Sequence, residues 1–301
     1  MKPNPLARWS LRAVVAPALV ATLLTAGLSG AALAQSTPAP ELGGMVKLIN
    51  CVDPSFPPME YYEDQNAKEP IGFDIDLTNE IAKRLGLEAE IVPTEFTGLL
   101  PGLAAGRCDI VASGLYLTAE RLAAFDAQPY YDTAVVLITL ADNDSITSPE
   151  DLSGKTVAVQ AGTNYINVLN DLQAKLEAEG KPLMTIQTYP KQTDAIQQLV
   201  VGRADATISQ DTEQAFREKA QPGVFKIAFT YPDTQTFGVY YRPDEAALGA
   251  ALKQTIEAMR DDGTIAAIAK KWNLPESGAN YTGHIYNPDE ENATPAATPT
   301  A

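Results

Sequence analysis

The sequence predicts an α/β protein made of two similar halves, each a mostly parallel sheet flanked by helices and joined by two crossing segments. Three observations predict it. Strand-like and helix-like runs alternate through the 301 residues, which argues for parallel sheets. The alternation comes in two sets of similar length, followed by surplus helices. Two Tyr-, Asp- and Thr-rich stretches, "PYYDTAV" and "YPDTQTFGVYY", sit between apolar runs where a chain would cross from one half to the other.

In the first set "MVKLINCV" reads as a strand. "FDIDLTNEIAKRLG" reads as a helix, with Ile75, Leu77, Ile81 and Leu85 at helical spacing and Gly86 as its stop. "AEIVPT" is a strand, "GLLPGLAAG" a short helix and "DIVASG" a strand. In the second set "KTVAVQAG" is a strand, "TNYINVLNDLQAKLEAEG" a helix, "LMTIQTY" a strand, "QTDAIQQLVVG" a helix and "ADATISQ" a strand. "DEAALGAALKQTIEAMRDDG" and "TIAAIAKKW" are the surplus helices.

The ends differ from the body. Lys2, Arg8 and Arg12 precede the apolar run "AVVAPALVATLL" and a small-x-small site at Ala32-Leu33-Ala34, the pattern of a secretory signal peptide cut before Gln35. Pro17 and the small residues shorten the apolar run below spanning length, which argues against an uncleaved anchor. No cysteine stands at the cut, so a lipid anchor is not expected there. The predicted organisation is a signal peptide over 1–34, a flexible lead over 35–45, a first lobe over 46–133 plus 238–278, a second lobe over 134–237, and a disordered acidic Pro/Ala/Thr-rich tail over 279–301. Loss of the leader's three basic residues takes the net charge from −16 to −19. So negative a surface repels phosphate backbones and anionic lipid heads, so nucleic acid is not an expected partner. Cys51 and Cys108 are expected as buried free thiols on neighbouring strands; an oxidising compartment leaves a bridge as the alternative.

Ligands of open α/β sheets bind outside the carboxyl ends of the strands. Those ends carry Asp53 and Phe56, Glu95 and Phe96, "SGLYLTAER", "AGTNY", and Gln210 with Asp211. Arg121 offers a planar fork for a carboxylate, against the alternative of a solvated surface charge. Gly162 and Thr163 open a helix whose unpaired N–H groups suit a small anion, and Thr163 can cap that helix instead. Asp211 can hold an ammonium group or cap its helix. Phe56 and Phe96 can sandwich an apolar or planar stem, or simply pack. Asp53 can reach a polar ligand side chain or serve the turn before Pro54.

Other chemistries lack their parts. "SGKT" at Ser153–Thr156 has Pro149 where a phosphate loop needs glycine, and it precedes a strand. His284 is the only histidine, so a nucleophilic triad lacks its usual base. No zinc or calcium spacing occurs, and no metal, cofactor or catalytic residue is expected.

"DPSFPPMEYY", "IGFDIDLTNEIAKRLG", "FTGLLPGLAAGRCDIVASG", "LTAERLAAFDAQPYY", "LSGKTVAVQAGTN" and "MRDDGTIAAIAKKW" stand in an order that resembles the extracellular solute-binding proteins of family 3, polar amino-acid receptors of ABC importers. The resemblance spans roughly Val46 to Leu274. It implies a type II periplasmic-binding-protein fold with a two-segment hinge, a periplasmic location and a membrane permease as partner; monomer is the default. It implies that Arg121 clamps the ligand α-carboxylate, that Thr163 donates to it, and that Ser113 and Gly114 bind through hydroxyl or backbone. It also implies that Phe56 and Phe96 form walls and that Asp53 meets the ligand side chain. Two departures stand out. Gln210 occupies the position of the family's ammonium-binding aspartate, with Asp211 next to it, and Tyr116 stands where a small hydroxyl residue is common. The implied ligand is a polar amino acid. The alternatives are a cyclohexadienyl-dehydratase-like enzyme, with Glu95 as a buried acid, or a ligand-sensing partner of a membrane receptor.

Overall fold

A computed structural model describes residues 42–287. The signal peptide, most of the flexible lead and the last fourteen positions of the expected tail lie outside the described residues.

Among the described residues ten strands and eight α-helices follow in chain order. The first half has β1 (Lys47–Val52), the short pair β2 (Ser55–Phe56) and β3 (Glu60–Tyr61), α1 (Phe73–Leu85), β4 (Glu88–Pro93), α2 (Leu99–Ala104), β5 (Ile110–Val111) and α3 (Ala119–Leu122). β6 (Asp126–Leu140) leads to the second half, with β7 (Thr156–Gln160), α4 (Tyr165–Ala178), β8 (Thr185–Tyr189), α5 (Gln192–Val200), β9 (Ala206–Gln210) and α6 (Asp211–Ala220). β10 (Phe225–Tyr241) returns to α7 (Ala246–Asp261) and α8 (Thr264–Lys271).

The large sheet has the order β4-β1-β5-β10-β6-β9-β7-β8. β1 runs parallel to β4 and β5, and β7 runs parallel to β8 and β9. Each half therefore places its first strand between its second and third, and adds one antiparallel strand on the inner side. The two crossings are longer than their sequence suggests. "PYYDTAV" is the middle of β6 and "YPDTQTFGVYY" the C-terminal part of β10, and the two strands pair antiparallel from Phe225↔Leu140 to Tyr241↔Asp126. The register shifts between Thr230 and Thr234, where the ladder bends. The lobe boundaries expected near 133/134 and 237/238 fall inside these continuous strands.

Local sequence accounts for the helices. α1 buries Phe73, Leu77 and Ile81 along one stripe and ends at Gly86 with φ +72°, in the left-handed region that glycine adopts at no steric cost. Each of those side chains contributes roughly 1.5–3 kcal/mol by leaving water. Asp74 and Thr78 are buried on the neighbouring stripe, which faces the end of β5. Thr118 caps α3, its Oγ1 accepting from Arg121 N at 3.2 Å.

Two expectations need correction. Cys51 and Cys108 are bridged, with Cα atoms 5.7 Å apart. The chain entering β5 lies directly against β1, because Asp109 N donates to Ile49 O and Asp109 Oδ2 accepts from Ile49 N, both at 2.9 Å. That places Cys108 with Cys51 in the apolar cluster of Leu99, Leu103 and Val111. Residues 279–287, expected within a disordered tail, instead pack on the body, and Tyr286 is buried. Thr282, His284 and Tyr286 all donate backbone N–H bonds to the two crossing strands and the loop beside them. Among the described residues no helix is long and apolar enough to cross a membrane.

Candidate ligand-binding site

The carboxyl ends of β1, β4 and β5 face those of β7 and β9 across a cleft. Phe56, Phe96, Ser113, Gly114, Tyr116, Arg121, Thr163 and Gln210 line one inner pocket, together with Glu60, Gln160, Asn164 and Tyr165. Its open volume is about 20 Å³, room for about one water. It adjoins an outer chamber of about 440 Å³ that shares Phe96, Arg121, Thr163 and Asn164 and adds Gly162, Thr97 and Tyr286.

Arg121 stands between the two spaces. It is half-buried, and among the described residues no carboxylate lies within salt-bridge distance of it. One NH1 proton goes to Tyr116 O at 3.0 Å, and the guanidinium lies 5.9 Å from the Phe96 ring centroid. The same Tyr116 carbonyl accepts from Tyr240 Oη at 2.5 Å. The cation is thus oriented from behind by a neutral acceptor, and its remaining N–H groups are available to an anion.

Opposite Arg121 the loop after β7 brings Gly162, Thr163 and Asn164 to the start of α4. Asn164 is the N-cap residue, and Thr163 donates its hydroxyl proton to Gln160 O at 2.8 Å, so Thr163 is not the cap. Gly162 has φ +80°, and a Cβ there would lie 3.0 Å from Thr97 Cγ2. Only glycine lets the two halves approach this closely. Gly114, with φ +53°, likewise admits the Phe56 ring, whose Cδ1 and Cε1 would lie 2.9 Å from an added Cβ.

Several residues proposed from sequence have other employment. Ser113 Oγ accepts from Asp53 N at 2.9 Å and donates to Glu60 Oε1 at 2.8 Å. Gly114 N donates to Asp74 Oδ2 at 2.7 Å. Neither proton is directed at the pocket. Asp211 does not line it: Oδ1 accepts from Thr133 Oγ1 at 2.6 Å and Ala134 N at 3.2 Å, on the crossing strand β6. Gln210 does line it, and its Oε1 is buried with no hydrogen-bond partner among the described residues. Tyr116 is fully inside, stacked on Phe237 at 5.3 Å between centroids, with its Oη 3.3 Å from Tyr165 Oη.

Asp53 is not a pocket wall either. It accepts from Gln160 Nε2 at 2.5 Å and Ser55 Oγ at 3.0 Å, and so ties the first half to the second. Ser55 Oγ in turn accepts from Gln192 N at 3.3 Å. Burial pushes the Asp53 carboxyl up to about 6, against the opposing hydrogen bonds from Gln160 and Ser55. The folded state therefore favours its protonated form. That contribution to stability is complete below the ordinary value of 3.8 and is lost as pH rises through about 6. Wild type should gain about 1 kcal/mol on Asp53→Asn between pH 7.5 and pH 5. Thermal unfolding of both proteins at the two pH values checks this, and parallel pH profiles would refute it.

Glu60 was not singled out by its sequence position, although "PPMEYY" belongs to the resembling segment. Glu60 and Asp74 are both almost fully buried. Burial, then the neighbouring Asp74 charge, holds the Glu60 carboxyl well above the usual carboxylate range, and burial raises Asp74 to about 6. Glu60 Oε2 and Asp74 Oδ1 are buried with no hydrogen-bond partner among the described residues, so burial favours protonation of the pair. Glu95, the acid of the enzyme alternative, is exposed and lines neither space. Among the described residues no group of three or more His, Cys, Asp or Glu is placed to hold a metal.

A family model described as bacterial extracellular solute-binding proteins, family 3, matches residues 48–275. The chain belongs to this family. The L-cystine-binding protein TcyJ of Escherichia coli (strain K12) is 28% identical over 274 residues, covering 90% of this chain and 97% of its own. An ancestral arginine-binding protein bound to arginine superposes with a TM-score of 0.69 at 31% identity, covering 75% of this chain and 98% of its own. The ancestral amino acid-binding protein AncCDT-1, described as a precursor of cyclohexadienyl dehydratase, superposes at 0.67 with 31% identity, covering 75% and 95%. The two-lobed type II fold expected from sequence is the fold of these proteins.

Proposed function

We propose that this solute-binding protein is the periplasmic receptor of an amino-acid ABC importer. It captures a polar amino acid between its lobes, 46–133 plus 238–278 and 134–237, and delivers it to a membrane permease. One observation carries the reading: Arg121, half-buried and with no carboxylate among the described residues within salt-bridge distance, faces the N-terminus of α4 across the cleft. Two sources of positive potential from opposite lobes suit a single α-carboxylate, and a ligand bridging them stabilises closure. Gln210 Oε1 is the acceptor best placed for the ammonium group, in place of Asp211.

The inner pocket holds only about a water, so ligand entry requires the lobes to part. Asp53–Gln160, Ser55–Gln192 and Tyr116–Tyr165 are the cross-cleft bonds that must open. Relatives named for cystine and for arginine binding support those two amino acids as the first ligands to test. The signal-peptide reading of residues 1–34 supports export to the periplasm, and the protein acts as a monomer.

Glu95 is not the acid of the enzyme alternative, since it lacks the burial that a general acid in this cleft needs. The likeness to a dehydratase precursor makes turnover of prephenate- or arogenate-like acids the control. The sensing alternative is separated by deleting the permease. The deciding experiment is thermal unfolding of residues 35–301 against a panel of amino acids. A ligand at about a thousand times its Kd adds roughly 4 kcal/mol, on the order of 10 °C here. No shift with any amino acid would overturn the proposal.

A further inference from the structure

The family match ends at residue 275, yet the chain after it runs back across both crossing strands to the loop that carries Arg121. Tyr131 Oη on β6 donates to Pro275 O at 2.7 Å, anchoring the start of this segment. Thr282 N donates to Asp132 Oδ2 at 2.8 Å, and His284 N donates to Thr236 Oγ1 at 2.9 Å. Asp132 and Thr236 are themselves partners in the β6–β10 ladder, and Thr236 Oγ1 donates to Asp132 Oδ1 at 2.5 Å. The segment is thus fastened to the hinge strands where they pass between the halves.

Its far end reaches the site. Tyr286 N donates to Leu117 O at 2.8 Å, and Ala119 N donates to Tyr286 O at 3.0 Å, so Tyr286 brackets Thr118 as a parallel strand would. On its other edge the same loop pairs with β10, through Leu117 N to Thr236 O at 2.8 Å and Gly238 N to Leu115 O at 2.9 Å. Thr118 caps α3 and Tyr116 O orients the guanidinium. The position of Arg121 therefore depends on a loop whose one edge is supplied entirely by residues outside the family match.

The Tyr286 side chain is 5% exposed. It stands in the wall between the outer chamber and a neighbouring cavity of about 220 Å³. Asn164, at the cap of α4, lines both spaces, with Ile166 and Asn167 on one side and Val168 on the other. Main chain bound to the first half and a ring set beside α4 of the second make this segment span the cleft.

We propose that residues 280–287 form a strap that favours the closed arrangement, with Tyr286 as a positioning residue for Arg121. Opening the cleft draws α4 away from Tyr286. Removing the strap leaves Leu117 O and Ala119 N without their partners and frees the loop beneath Arg121. The strap adds to the difference in stability between closed and open forms, and so acts on ligand retention.

The test uses the mature chain, a chain ending at Tyr281, and the full-length variants Tyr286→Ala and Tyr286→Phe. Lys83→Cys and Val201→Cys, exposed positions in α1 and just after α5, carry spin labels for distance measurement without ligand. Truncation and Tyr286→Ala should shift the distribution to longer separations, and Tyr286→Phe should keep the wild-type one. With L-arginine and L-cystine as probes, dissociation should accelerate about tenfold in the same two variants, with association changed much less. The affinity arm rests on the amino-acid reading, while the distance arm does not. Unchanged distances in both truncation and Tyr286→Ala would overturn the strap, whatever the probes do. Binding of neither amino acid by the wild type would count against the proposed ligand class instead, and the distances would still decide the strap. If the truncated chain fails to fold, Tyr286→Ala decides alone.

Discussion

Replacing Arg121 by alanine should weaken ligand binding about thirtyfold or more while leaving the fold intact. Truncating one partner of a buried, hydrogen-bonded charge pair costs about 2–5 kcal/mol, because the remaining charge stays desolvated. The ligand carboxylate would be that charge. The effect on stability should be small, since the guanidinium makes one side-chain hydrogen bond, to Tyr116 O, and is only half-buried. Arg121→Lys should recover part of the affinity, as an ammonium restores charge without the bidentate fork. Titration calorimetry with the ligand that gives the largest thermal shift measures both variants. Unchanged affinity in Arg121→Ala would remove this residue from the site and leave the α4 N-terminus as the anion contact.

Removing the Cys51–Cys108 bridge should produce the largest loss of stability. The cysteines are 57 residues apart. A cross-link closing a loop of that length lowers the entropy of the unfolded chain by about 4 kcal/mol at 25 °C. For a body of this size that corresponds to a fall in Tm on the order of 10 °C. The bridge also ties β1, which runs into Asp53, to the entrance of β5, which runs into Ser113–Tyr116. Its loss should therefore loosen the site before the rest of the sheet. Calorimetry of the reduced protein and of the Cys51→Ala, Cys108→Ala double variant checks the size of the effect. A fall of less than about 3 °C in both would show that the cross-link contributes little.

The order of strands and helices was legible in the sequence because short-range physics writes it there. Apolar spacing in α1 and the stop at Gly86 act within a few residues. The crossing stretches were recognisable by composition, and the residues at the strand ends followed from where parallel sheets leave room for a ligand. The sequence therefore determined the α/β class, the two halves and the group of residues gathered at the cleft.

Which of those residues line the pocket was decided only in three dimensions. Asp53 meets Gln160, a residue 107 positions away, and becomes a tie between halves. Glu60 meets Ser113, 53 positions away, and pairs with Asp74 beneath the pocket. Asp211 turns to β6 while Gln210 turns inward. The bridge and the strap have the same origin: Cys108 lies beside Cys51, and Tyr286 beside Thr118, only once the sheet has formed. Local periodicity sets which face of an element is apolar. It carries no information on which distant polar group will lie opposite, because that depends on register and on the close approach of two halves that Gly162 permits.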